Sequence, residues 1–291
     1  MHRLLPVIFL CFTLLLVLSG CNEPATGCRD INAVNYSITA DEDCDEDETD
    51  ECCIYPLLKL KFTHRILQTI DNRDTLVRFG LNTSYVLPAA PTDTFSFQSM
   101  SLYFSEFRLL TPEGNEVRVS DRAVADIAGD DPDSLAFIND ILLFKPSATD
   151  YTVGTFNAPE TYERLKFRAG LPPDLLTVDA EATEIDILQK QPDCLNYENS
   201  EVGYINQKYV FFPLPTAADS TVFSVFDVPE LSLTALPFHI VSGFDATLYL
   251  TVRYDLLLAD IPLSGITEEE FRARIVSNLP NAFTLDSLLQ N

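Results

Sequence analysis

Apolar and polar residues alternate with a period of two from Leu57 onward, and this pattern limits the chain to strands over much of its length. The alternation is clearest in residues 58–63 (LKLKFT), where every second side chain is apolar, as in a half-buried strand. Turn residues separate most of the other strand candidates, which are 101–109, 116–119, 165–167, 209–212, 222–228, 238–241 and 247–254. Many short strands between turns predict an all-β fold, an antiparallel β-sandwich that forms one domain over residues 57–291.

Helices are expected to be few and short. The clearest begins at Thr267, because Glu270 stands three residues later and completes a capping box. Apolar residues then recur at helical spacing along one face, at Phe271, Ile275 and Leu279. Residues 132–144 are predicted to form a second helix.

The charge of the chain excludes one broad class of function. It has 44 acidic and 19 basic residues, a formal net charge of −25. A nucleic-acid-binding protein needs a basic face that displaces counterions, and this composition leaves little material for one. Apolar residues make up 46% of the chain, which is enough to build a compact core.

The first 20 residues have the features of a signal peptide. A short basic start is followed by an apolar run over residues 4–18, which is too short for a comfortable membrane span. Residues 18–21 (LSGC) resemble a bacterial lipobox, in which Cys21 becomes the lipidated first residue. An ordinary signal peptide with a chance cysteine is the alternative. Lipidation would make the acyl chains the membrane attachment. Asn22 after the cysteine fits an outer-membrane lipoprotein, on either the periplasmic or the cell-surface side.

Residues 21–56 form an acidic, cysteine-rich neck. Nine of the eleven residues from 41 to 51 are acidic, which argues against a packed element there. Four cysteines frame this stretch: Cys28, Cys44, Cys52 and Cys53. Because the adjacent Cys52 and Cys53 are unsuited to pair with each other, two disulfides joining them to Cys28 and Cys44 are expected, with the order of pairing left open.

The acidic stretch also suggests calcium as a ligand. Aspartates alternate at Asp41, Asp43, Asp45 and Asp47, and hard cations favour carboxylate oxygens. An EF-hand loop begun at Asp41 would need glycine at its sixth position and glutamate at its twelfth, where this chain has Glu46 and Cys52. A solvated, self-repelling spacer is therefore favoured over a weak calcium site.

Four segments, taken in order, resemble the MbnP-like domain family. They are residues 58–65 (LKLKFTHR), 97–109 (FQSMSLYFSEFRL), 153–170 (beginning VGTF and ending YERLKFRAG), and 202–212 followed by 237–240 (PFHI). The resemblance covers most of residues 57–262. It implies a β-sandwich protein of the periplasm or cell surface, from a family linked to copper binding.

The resemblance also implies a ligand set, and the chain has only part of it. The family's copper site uses histidines together with an oxidised tryptophan, whose segment corresponds here to residues 196–204. This chain contains no tryptophan, so that ligand cannot form. His64 and His239 match family histidines, and His2 lies in the signal peptide. Two imidazoles can hold copper if they approach each other, although two structural histidines would fit the same positions.

Sequence motifs for catalysis are absent, so a non-enzymatic protein is expected. The chain lacks a Gly-x-Ser-x-Gly elbow, a glycine-rich phosphate loop and a His-Glu-x-x-His motif. The leading hypothesis is copper or other transition-metal binding through His64 and His239. The alternative is an envelope scaffold or adhesion lipoprotein with a degenerate metal site and a protein partner of unknown identity. A hydrolase with a carboxylate pair ranks third.

Overall fold

The computed structural model describes residues 24–44, 52–87, 90–127, 134–189, 204–212, 219–263 and 265–290. Its strands are β1 (Thr26–Gly27), β2 (Glu42–Asp43), β3 (Leu57–Ile70), β4 (Arg73–Arg78), β5 (Tyr85–Leu87), β6 (Ala90–Leu110), β7 (Glu116–Val117), β8 (Arg122–Asp126), β9 (Ser134–Ile138), β10 (Leu142–Phe144), β11 (Asp150–Thr155), β12 (Thr161–Arg168), β13 (Gln207–Phe212), β14 (Thr221–Val225), β15 (Glu230–His239), β16 (Ala246–Arg253) and β17 (Phe283–Gln290). Its helices are α1 (Tyr254–Leu257) and α2 (Glu268–Ala282), with 3₁₀ turns at Pro173–Thr177 and Asp186–Leu188.

Two large sheets face each other, which confirms the all-β sandwich. Sheet 1 has the order β14-β13-β6-β12-β15, and the short strands β5, β7 and β10 also pair with β6. Sheet 2 has the order β11-β3-β16-β17, and β4 extends it by pairing with β3. The pairs within both sheets are antiparallel except β3–β16, which run parallel with Leu58–Arg65 aligned to Ala246–Arg253.

An aromatic core fills the space between the sheets. The alternation in β3 turns Leu58, Leu60 and Phe62 inward, and each is at most 2% exposed. The Phe62 ring packs on Phe144 at 4.9 Å between centroids and reaches Phe104 of the opposite sheet at 6.4 Å. Buried aromatic pairs of this kind add stability beyond the area that they bury.

A bulge in β6 changes which residues face the core. Phe104 and Phe107 are both buried in the same core cluster although they lie three positions apart, which a regular strand does not allow. The extra residue is Glu106, with φ 55°, and the pairing register to β12 shifts at this point. The Asp140 carboxylate accepts the backbone amides of Glu106 and Phe107 and so stabilises the bulge.

The predicted helix over residues 132–144 is wrong. Residues 134–138 form β9, which pairs with β8, and residues 142–144 form β10, which pairs with β6; Pro132 and Asp133 lie outside the described residues. Pairing with distant strands determines the structure of this segment. Phe144 is buried and pairs with Leu102 of β6 as a strand residue. The helix predicted after Thr267 is confirmed as α2, with both capping-box hydrogen bonds and a buried face.

The neck is a small cross-linked module over its described part. The disulfides Cys28–Cys53 and Cys44–Cys52 confirm the expected bridges and resolve their order. Its backbone is further fixed by the short parallel pair β1–β2, and Val34 N donates to Ile54 O. In the described part of the chain, no helix has the length and hydropathy needed to cross a membrane.

Candidate functional site

His64 lies inside the sandwich, with both ring nitrogens engaged. It is 6% exposed and lies on the inward face of β3, which it shares with Leu58, Leu60 and Phe62. The Tyr254 hydroxyl lies 2.9 Å from Nδ1, and the Ala148 carbonyl oxygen lies 3.3 Å from Nε2. Because a carbonyl can only accept, these partners fit the neutral tautomer that carries its proton on Nε2 and accepts from Tyr254 at Nδ1.

The electrostatics around His64 favour the uncharged ring. Burial lowers the pKa of His64 most strongly, and the positive charge of Arg78 lowers it further, while the hydrogen bond to Ala148 acts in the opposite direction. The Phe144 ring covers the imidazole at 5.7 Å between centroids. A metal ion at His64 would have to displace one of its two hydrogen bonds from within the core.

His239 lies at the surface of the opposite sheet. It ends β15 and is exposed, and its Nδ1 lies 3.2 Å from the Thr161 hydroxyl of β12. The register pairs His239 with Thr161 and Phe238 with Tyr162. This histidine is therefore accessible, but the described residues give it a single side-chain partner, which is not a metal ligand of the usual kind.

The structure does not bring His64 and His239 together. A chain of contacts places His239 near the start of β3. Tyr162 is the register partner of Phe238, and its ring contacts the ring of Phe156. The Phe156 amide in turn donates to the carbonyl oxygen of Pro56, directly before β3. His64 lies seven positions beyond Leu57, and at about 3.3 Å per residue this places it roughly 20 Å further along the sandwich. Two copper ligands must lie within about 4 Å of each other, and in this structure the two histidines lie much further apart than that.

The aspartates predicted as calcium ligands also form no ligand cluster within the described residues. Asp41 accepts the amide of Ala25, and Asp43 accepts the amide of Arg29, so the neck uses both carboxylates internally. Asp45 and Asp47, like Cys21 and residues 190–203, lie outside the described residues. Among the residues that the structure describes, no group of three or more His, Cys, Asp or Glu side chains could hold a metal ion.

An open polar cleft lies on the outer face of sheet 2, and the sequence analysis did not identify it. Its volume is about 340 Å³, and β3, β11 and β16 supply its walls: Lys59, Leu60, Lys61, Asp150, Tyr151, Thr152, Thr247 and Tyr249. The alternation in β3 already turned Lys59 and Lys61 outward, but only the parallel pairing with β16 places Tyr249 beside Lys61. That pairing joins segments almost 190 residues apart, so no local pattern could reveal it.

The cleft does not supply the paired carboxylates that the hydrolase hypothesis needs. Asp150 is the one acidic residue in its lining, and its carboxylate forms an ion pair with Lys61 at 3.2 Å. The hydrogen bond from Thr149 and the pairing with Lys61 lower the pKa of Asp150, so this group is a carboxylate near neutral pH. The lining of the cleft is therefore polar and charged.

Comparison with known proteins identifies the family. The MbnP family model matches residues 56–260, which run from the end of the neck to α1. Among solved structures, MbnP from Methylosinus trichosporium is similar with a TM-score of 0.32 and 12% identity, covering 72% of this chain and 78% of that chain. A comparison with curated proteins finds no match. Since the family model covers more than half of the sequence, this chain belongs to the MbnP family.

Proposed function

We propose that this chain is a non-catalytic binding or scaffold lipoprotein of the outer membrane, which keeps the MbnP fold without a two-histidine copper site. The observation that carries the proposal is the separation of the two histidines of the mature chain. His64 hydrogen-bonds to Tyr254 and Ala148 in the core, and His239 lies exposed roughly 20 Å away along the sandwich. The copper association of the family therefore does not transfer to these residues.

The proposed compartment is supported by the sequence and by the neck. Residues 18–21 resemble a lipobox, and the disulfides Cys28–Cys53 and Cys44–Cys52 are the kind that persist outside a reducing cytoplasm. Lipidation of Cys21 would place the neck next to the membrane and the sandwich beyond it. The binding role is supported by the open, polar cleft on sheet 2.

A copper titration tests the proposed loss of the metal site. Copper would be titrated into the mature chain in competition with a chelator, beside His64→Gln and His239→Gln variants. We expect no stoichiometric copper site that depends on both histidines. A one-to-one site that either substitution abolishes would restore copper binding as the function. Binding lost only with His239→Gln would instead indicate a surface site at one imidazole.

Membrane fractionation tests the anchor. The full-length chain is expected in the outer-membrane fraction and its Cys21→Ala variant is expected outside it, because the acyl chains supply the attachment. Cys11→Ala, which changes another cysteine of the leader, serves as the matched control and should fractionate like the parent. Membrane association that survives Cys21→Ala would remove the lipid anchor from the proposal.

A further inference from the structure

The outer face of sheet 2 carries a group of cationic side chains. Residues 59, 61 and 65 of β3 point outward, and their neighbours on β16 and β4 lie on the same face because paired residues of adjacent strands do so. The cationic residues of this face are Lys59, Lys61, Arg65, Arg78 and Arg253.

Three arginines lie side by side across this face. The register pairs Arg65 of β3 with Arg78 of β4 on one side and with Arg253 of β16 on the other. Adjacent strands lie about 4.8 Å apart, so the three side chains leave the sheet within about 10 Å of one another. Like charges placed directly opposite destabilise a sheet, unless an anion lies between them.

Only one member of this arginine row is neutralised. Arg253 donates from both Nε and Nη2 to the buried carboxylate of Asp255. Arg65 and Arg78 have no ion pair and no side-chain hydrogen bond with any residue that the structure describes. By contrast, Lys59 and Lys61 of the same face are ion-paired with Asp245 and Asp150. On the outer face of sheet 1, Arg108, Lys166 and Arg168 each lie within 4 Å of a glutamate.

Polar groups without partners connect the arginine row to the cleft. Thr63 lies between Lys61 and Arg65 on β3, and its register partner is Thr251 of β16. The hydroxyls of Thr63 and Tyr249 have no hydrogen-bond partner within the described ranges. At about 3.3 Å per residue, the distance from Lys61 to Arg65 is about 13 Å, so cleft and row form one extended surface.

We propose that this surface binds a linear polysaccharide that carries carboxylates, as uronic acids do. The forked guanidinium groups of Arg65 and Arg78 would each take a sugar carboxylate, an arrangement that arginine favours over lysine. The Tyr249 ring, beside Lys61 in the cleft, supplies an apolar surface for a sugar ring and a hydroxyl for its edge. The inference deepens the proposed binding role and rests on it, and it involves no metal.

The make-up of the surface favours a glycan over an acidic polypeptide. Protein interfaces concentrate apolar and aromatic side chains at their centre. Here the centre between cleft and row holds Thr63 and Thr251, whose hydroxyl donates to Asp286, so the centre is polar and suits the hydroxyl groups of a partner. A charged sugar chain carries such groups along its length and needs few apolar contacts at this centre. An acidic polypeptide is therefore the rival that the experiment must separate.

Affinity electrophoresis and calorimetry with the mature chain in EDTA test the proposal. The probes are sodium polygalacturonate, neutral dextran and poly-L-glutamate. The variants are Arg65→Gln, Arg78→Gln and Tyr249→Ala, with Arg122→Gln as matched control, because Arg122 is an exposed arginine of β8 away from this face. Urea unfolding of each variant verifies that it is folded.

The expected result is salt-sensitive binding of polygalacturonate but not of dextran. Each arginine substitution should weaken binding about tenfold, as loss of a charge-assisted hydrogen-bonded pair does, while Arg122→Gln should leave it unchanged. No binding of polygalacturonate, or binding that Arg65→Gln and Arg78→Gln leave intact, would overturn the proposal. Equal or tighter binding of poly-L-glutamate would also overturn it, in favour of an acidic polypeptide. EDTA keeps these outcomes independent of the copper titration.

Discussion

At the scale of single residues, His64 is an imidazole that two hydrogen bonds hold inside the core. Its inward orientation could be predicted from the alternation of β3, since residues 58, 60, 62 and 64 share a face. Its partners could not, because Ala148 and Tyr254 come from distant parts of the chain. Because both ring nitrogens form hydrogen bonds, the imidazole packs in the core without an unpaired polar atom of its own.

The protonation of His64 predicts a pH dependence of stability. Burial lowers its pKa in the folded chain, so the unfolded chain binds the proton more readily. The stabilisation is fully present above the unfolded value of about 6.5 and is lost as pH falls toward the lowered folded value. The urea midpoint of the parent should fall more between pH 7.5 and 5 than that of His64→Gln. His239→Gln should keep the fall of the parent, and an identical pH response in the parent and His64→Gln would contradict the assignment.

Removal of the Tyr254 hydroxyl should destabilise the core at the same place. Tyr254 is fully buried, and Tyr254→Phe would leave Nδ1 of His64 without its partner. A buried polar atom left unsatisfied costs about 1–3 kcal/mol, so the free energy of unfolding should fall by about that amount. Tyr249→Phe, at a partly exposed site on sheet 2, is the matched control and should change it by less than about 0.5 kcal/mol. Equal effects of the two substitutions would show that the hydrogen bond contributes nothing.

At the scale of elements, prediction from sequence succeeded where periodicity is local and failed where pairing is distant. The strand at residues 57–70 and the helix at 268–282 follow from alternation and from a capping box, which are both local signals. Residues 134–144 became two strands because β8 and β6 pair with them. The bulge at Glu106 depends on Asp140, which lies 34 positions away and has no sequence signature.

The capping box of α2 should be worth a measurable fraction of the total stability. The Thr267 hydroxyl accepts from the Glu270 amide, and the Glu270 carboxylate accepts from the Thr267 amide. Thr267→Ala should therefore lower the free energy of unfolding by about 1 kcal/mol in urea denaturation. Ser277→Ala, at an exposed position inside the same helix, should have little effect. A stability unchanged by Thr267→Ala would indicate that packing of Phe271 and its neighbours alone fixes this helix.

At the scale of the whole molecule, the sequence predicts a neck before the sandwich but does not locate a binding surface. The cysteines and acidic residues mark the neck, whose described part carries the two expected disulfides. The two family-matched histidines suggested a common site, but sequence position carries no information about their roughly 20 Å separation. The cleft and the arginine row arise only when β16 aligns with β3.

The neck and the sandwich should respond separately to loss of the Cys28–Cys53 disulfide. No described residue of the neck belongs to the main core cluster, so Cys28→Ser/Cys53→Ser should leave the thermal midpoint of the sandwich within about 2 °C of the parent. Trypsin should then cleave after Arg29, which the parent protects through the Cys28–Cys53 bridge and the hydrogen bonds of Arg29 to Asp41 and Asp43. Mass spectrometry identifies the cut. A large fall in the midpoint would mean that the sandwich needs the neck for its stability.

The central claim is that this MbnP-family protein does not use His64 and His239 as one copper site. Pulsed electron paramagnetic resonance on the mature chain with one equivalent of Cu(II) tests it most directly, because it counts the imidazoles bound to the same ion. The predicted result is that no copper is coordinated by two imidazoles, in the parent or in His64→Gln. A spectrum from two imidazoles in the parent, reduced to one by either His64→Gln or His239→Gln, would contradict the claim.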